Sequence, residues 1–82
     1  MTERRVRKYM HTSARLGLVV QEERKTLGLS VWTLAKRAGV GRRFVRDTEA
    51  GRAPADLGSV LRILDVLGIK PLALPSGLAE AA

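Results

Sequence analysis

The 82-residue chain has no cysteine, so it forms no disulfide and offers no thiolate to a metal, a composition that fits a reducing compartment. Its one histidine, His11, has no partner at a metal-binding or catalytic spacing and reads as a plain arm residue, so no metal site is expected. Long apolar runs are also missing. The longest stretch without a charge, Thr26 to Ala35, is about half of the ~20 residues that a membrane span requires. The basic N-terminus is not followed by a signal-peptide core, so a soluble, unprocessed protein is expected. There are no paired carboxylates at a plausible site, no convincing Ser–His or Cys–His combination and no glycine loop to cradle a phosphate, so neither an enzyme nor a cofactor is expected. No internal repeat or low-complexity block is present.

What is there is a core and an excess of positive charge. Hydrophobic residues make up 45% of the chain, enough for one compact domain with a modest core. The net charge is +7 and the pI near 11.1, so the chain repels itself and attracts polyanions, either nucleic acid or an anionic membrane surface. A membrane-surface helix would need a free apolar face, and the apolar faces here are required for the core, so no membrane partner is expected. Residues 1–52 hold thirteen of the fifteen Lys and Arg, a net of +8, whereas residues 53–82 carry a net of −1. The front of the chain is therefore the polyanion-facing part.

The apolar rhythm is helical. Residues 1–11 (MTERRVRKYMH) lack a sustained period and read as a basic arm, either ordered on binding or loose. From a cap at Thr12 or Ser13, a first helix places Leu16, Val19, Val20 and Leu27 on one stripe and stops at Gly28. Ser30 caps a short second helix, VWTLAKRA, with Leu34, Ala35 and Ala38 facing one way, and Gly39 ends it. A third helix runs from Gly41 to about Ala50 after a connection short enough for a helix-turn-helix. A fourth carries Leu57, Leu61, Leu64 and Leu67 and stops at Gly68. With two prolines, the tail around Ile69–Leu74 reads as a short extended segment with a frayed end.

The segment GVGRRFVRDTEAG concentrates the charge. At about 100° per residue, Val45, Thr48 and Glu49 fall on one side of the third helix, with Phe44 beside Thr48. Arg43, Arg46, Asp47 and Ala50 fall on the other, with Arg42 between. Such a face is either a solvated surface or the reading side of a helix laid in the DNA major groove, where arginine donates bidentately to guanine.

Gly28 to Arg52, GLSVWTLAKRAGVGRRFVRDTEAGR, resembles the helix-turn-helix of the Cro/CI-repressor (XRE) family, with Leu34, Ala35, Ala38, Gly39, Val40, Val45, Glu49, Gly51 and Arg52 matching its pattern. Within that family, VGRRFVRDTEAGR and VLRILDVLGIKPLAL most resemble HipB-type antitoxins. Two positions depart: Val31 stands where the family has a DNA-contacting glutamine, and Thr48 where it has a larger apolar residue. The resemblance implies an all-α, four- to five-helix lambda-repressor-like domain over residues 12–68, between the arm of residues 1–11 and a C-terminal segment of residues 69–82. It further implies a homodimeric, sequence-specific repressor on double-stranded operator DNA, cytoplasmic and nucleoid-associated, acting as antitoxin to a HipA-like kinase toxin that shares its autoregulated operon. The alternatives are a stand-alone or phage-type regulator and a coactivator-like adaptor working through protein partners.

On that reading Arg42, Arg43, Phe44, Arg46 and Asp47 read bases, Phe44 through a thymine methyl, while Thr33, Lys36, Arg52, Arg4, Arg5, Arg7 and Lys8 contact phosphates. A family pairing implies an Arg24–Glu49 ion pair tying the first helix to the third, the alternative for Arg24 being a DNA contact. Trp32 lies off the buried stripe and serves either an interface or a contact with the arm. Dimerisation falls to Ile69, Leu72 and Leu74, through a two-stranded sheet with the symmetry mate beside the fourth helix.

Overall fold

Capping chemistry sets the helix starts in the computed structural model, which describes residues 6–9, 12–54, 56–73 and 75. The chain runs β1 (Val6–Tyr9), α1 (Ser13–Thr26), α2 (Val31–Ala38), α3 (Arg42–Glu49), α4 (Leu57–Leu67) and β2 (Ile69–Ala73). Of the two possible caps of α1 it is Thr12 that serves, its hydroxyl accepting from the Arg15 amide at 3.1 Å. Ser30 caps α2 by accepting from the Thr33 amide at 3.0 Å. Asp56 caps α4, and its hydrogen bond from the Ser59 hydroxyl holds its carboxyl below the ordinary value. Only α3 starts without a side-chain cap, because its N-cap is Gly41.

The helix ends share one backbone device. After α1, α2 and α3 an amide two or three residues past the helix reaches back to close the last turn: Leu29 to Arg24, Val40 to Ala35 and Arg52 to Asp47, at 3.0, 3.0 and 3.1 Å. In the turn between α2 and α3 this bend places Gly39 at φ +70°, a left-handed conformation that a side chain resists, and it lets α3 start after only three residues.

The core is built where the helical stripes meet. Leu16, Val19 and Val20 of α1, Leu34, Ala35 and Ala38 of α2, and Val45 of α3 pack with Val60, Ile63, Leu64 and Leu67 of α4. α1 lies on α3, and α2 packs against both α3 and α4. Gly17 makes the α1–α3 approach possible: a Cβ there would collide with the Thr48 carbonyl oxygen and come within 2.8 Å of that of Glu49. Two leucines assigned to inward stripes lie outside. Leu27 is 38% exposed because it is already the C-cap residue of α1, where helical periodicity ends. Leu61 is 42% exposed because the buried stripe of α4 runs through Val60, Ile63, Leu64 and Leu67, one residue out of step with it.

The extended C-terminal segment is present, but its partner differs from the expected symmetry mate. β2 pairs in parallel with β1 of the same chain, Val6 opposite Ile69, and the four helices form the long connection that a parallel pair requires. The register slips after the Lys8–Pro71 pair, where proline has no amide to donate. Val6–Tyr9 is therefore a strand rather than part of a loose arm. Ile69, assigned to dimerisation, is 2% exposed and belongs to the monomer core. Leu72 contributes backbone to β2, and Leu74 lies outside the described residues. The chain is mostly helical, with four helices among the described residues, as the all-α reading requires, and no helix among those residues is long and apolar enough to cross a membrane.

Candidate nucleic-acid interface

The two faces of α3 separate as their sequence pattern requires. Val45 and Thr48 are buried, and the Thr48 hydroxyl, shut off from water, donates to the Phe44 carbonyl at 2.8 Å. Arg42, Arg43 and Arg46 are exposed on the outer side, with the Arg43 side chain 89% free. Phe44, assigned to base reading, is half-buried and packs against the core, because its position flanks Val45 and Thr48 on the inward side. Its ring is held by the fold rather than presented with the arginines.

These charges do not stabilise the helix that carries them. The first turn of α3 holds Arg42 and Arg43 and no acid, against the positive end of the helix dipole, and no side chain caps its free amides. Each such cation costs roughly 0.3–1 kcal/mol of helix stability. A helix end of this kind, positive in both backbone and side chains, attracts anions strongly.

Asp47, assigned to base reading, is paired in the free protein. Its Oδ1 accepts from Arg52 Nη1 at 2.8 Å and its Oδ2 lies 3.7 Å from Arg43 Nε. The backbone bond from the Arg52 amide to the Asp47 carbonyl closes the same turn, so the end of α3 brings residues 47 and 52 together. Arg52, assigned to phosphate, is thus already paired in the free protein, with its side chain 67% exposed.

On α2, Thr33 is half-buried and engaged by the cap: the Ser30 hydroxyl donates to the Thr33 hydroxyl at 3.0 Å. Lys36 is exposed, and its ammonium lies 5.2 Å from the centre of the Trp32 ring, a cation–π contact one helical turn away. Trp32 itself is 55% exposed. Sequence reading missed the pairing, although the i, i+4 spacing of Trp32 and Lys36 was its signal. Of the assigned arm cations, Arg7 and Lys8 lie in β1 opposite Lys70 and Pro71, while Arg4 and Arg5 lie outside the described residues, as does His11.

Behind α3, Arg24 and Glu49 form the expected pair. Arg24 Nε and Nη2 donate to the two carboxylate oxygens at 2.6 and 3.0 Å, and Nη1 donates to the Leu29 carbonyl at 2.8 Å. Hydrogen bonding to Glu49, ahead of the opposing effect of burial, holds the guanidinium above its ordinary pKa. One side chain thereby joins α1, the loop before α2 and the last turn of α3.

A family model described as a helix-turn-helix domain matches residues 15–74, from within α1 to just past β2. This chain belongs to the helix-turn-helix domain family. The HTH-type transcriptional regulator y4mF of Sinorhizobium fredii (strain NBRC 101917 / NGR234) is 44% identical over 61 residues, which span 74% of this chain and 80% of that protein. The restriction-modification controller protein C.AhdI of Aeromonas hydrophila is similar in structure, with a TM-score of 0.65 and 31% identity over 71% of this chain and 88% of that one. Membership makes α2, the turn at Gly39 and α3 the helix-turn-helix unit, with the arginine-bearing side of α3 on its exposed outer face.

Proposed function

We propose that this protein is a sequence-specific transcriptional regulator that works as a homodimer, represses at its operator and controls its own operon. The observation that carries this reading is the outward face of α3, where Arg42, Arg43 and Arg46 stand exposed opposite the buried Val45 and Thr48. A helix so loaded against its own dipole gives up stability for a charged outer surface, and arginine at that position reads guanine. The regulator y4mF and the controller protein C.AhdI support gene control as the task.

One chain offers one reading helix, and a palindromic site requires two, about 34 Å apart on the DNA. The outer edge of the β1–β2 sheet, together with α4, supplies the dimer surface in this reading. Recovery of bound fragments from genomic DNA, followed by footprinting, should show two inverted half-sites one helical turn apart. A single isolated half-site, or a monomer by sedimentation at the binding concentration, contradicts the dimer.

The antitoxin role rests on the resemblance of residues 40–52 and 60–74 to HipB-type proteins. Co-expression with a neighbouring kinase-like gene product should give a stable complex and suppress its toxicity. Failure to co-purify with any neighbouring product leaves a stand-alone regulator.

A further inference from the structure

Asp47 is the acid on the outward side of α3, and its setting is unusual for an exposed ion pair. Its carboxylate lies lower than the cations around it: the side chain is 38% exposed, against 89% for Arg43 and 67% for Arg52. Helix stability does not account for the placement. An acid in the last turn faces the negative end of the dipole, and arginine four residues before an acid is the weaker order for a helical pair. What the placement does achieve is occupancy. The carboxylate takes the Arg52 Nη1 donor and borders Arg43 Nε, and these are the groups a phosphate oxygen would otherwise engage with similar geometry.

We infer that Asp47 is a specificity-determining residue that competes with DNA phosphate for Arg52 and Arg43 and so suppresses binding to DNA of the wrong sequence. The inference rests on the proposed reading of α3 as a DNA-reading helix. On any duplex, backbone binding needs Arg52 to leave Asp47 or to share its charge, and it brings the carboxylate close to phosphate. Non-specific binding is almost wholly electrostatic, so it bears this cost in full. At the cognate site Arg43 and its neighbours contact bases, so fewer of the cations around Asp47 are drawn onto phosphate, less of this cost is borne there, and the ratio of specific to non-specific affinity rises. Asp47 in this account reads no base.

The test uses the intact chain and its Asp47→Asn variant, titrated over a range of salt against a mixed-sequence duplex and against genomic fragments selected by the wild type. Asp47→Asn should bind the mixed-sequence duplex about 3- to 10-fold more tightly near ~100 mM salt, with a salt slope steeper by about one. The gain on selected fragments should be smaller, so discrimination falls. In an Arg43→Ala/Arg52→Ala background, the gain from Asp47→Asn should shrink to less than half. An equal gain in that background overturns the proposal, because Asp47 would then act as a bare charge and not through the arginines. No gain on mixed-sequence DNA overturns it too, as does a loss confined to selected fragments, the mark of a carboxylate that accepts from a cytosine amino group. A wild type that enriches no fragment over bulk DNA overturns the DNA-reading assignment itself, a result read separately from the variant's behaviour on mixed-sequence DNA.

Discussion

Arg24 gathers three parts of the chain at one guanidinium, and its partner Glu49 is 93% hidden in the sense that only 7% of the side chain meets solvent. Removing the cation leaves that carboxylate largely buried without its bidentate donor. Arg24→Ala should therefore destabilise the domain by about 3–5 kcal/mol, whereas Arg24→Met/Glu49→Met should recover most of the loss, because replacing both partners removes the stranded charge. Chemical denaturation of the three proteins measures this; a single variant as stable as wild type contradicts the account. Because the Arg24 pKa is raised, its contribution is complete below the ordinary arginine value and is lost only as pH rises through the folded value. Titration of Arg24 thus adds no slope to stability near neutral pH. The sequence showed Arg24 as a cation interrupting an apolar stripe, and the family resemblance supplied its partner. Its third bond, to the Leu29 carbonyl, depends on how the α1–α2 loop folds back and has no sequence signature.

At the scale of elements, α3 is the helix whose design departs most from stability. It is eight residues long, starts at an uncapped glycine and carries its arginines at the end where acids belong. Gly41 has φ −75° and open space where a Cβ would lie, so another residue fits there without strain. Gly41→Asp should cap the helix and complement its dipole, raising stability by about 0.5–1 kcal/mol, a gain of a few degrees in Tm. The same carboxylate would stand at the DNA-facing end and weaken binding to every duplex. Thermal unfolding and DNA titration of this variant test both halves; tighter DNA binding contradicts the placement of the interface.

The elements most legible in the sequence were those with a strong local period. Val45 and Thr48 inward and Arg43 and Arg46 outward follow from residues three and four apart, and the four helix stops follow from glycines. Leu61 misled because α4 offers two overlapping apolar stripes, and only packing chooses the one through Val60 and Ile63. The pairing of β1 with β2 was not legible either, since Val6 meets Ile69 across the whole helical domain and a four-residue basic strand has little pattern of its own. The Asp47–Arg52 contact spans a helix end, where the spacing rules within a helix no longer apply.

At the scale of the molecule, charge and topology point the same way. The front of the chain carries +8 and holds α2, the turn and α3, while residues 53–82, net −1, supply α4 and the strand that closes the core. A patch of this charge would hold any DNA, and only a subset of its arginines can distinguish one sequence from another. Arg43, with its side chain 89% exposed, lies near the start of α3, and the Asp47 carboxylate is 3.7 Å from its Nε, too long for a tight pair. The most direct measurement is a titration of wild type and Arg43→Ala on a selected genomic fragment and on mixed-sequence DNA, at several salt concentrations. The structure predicts a loss of about 1–3 kcal/mol on the selected fragment and a clearly smaller loss on mixed-sequence DNA. Equal weakening on both would contradict it and would make the arginines of α3 a surface that holds DNA without reading it.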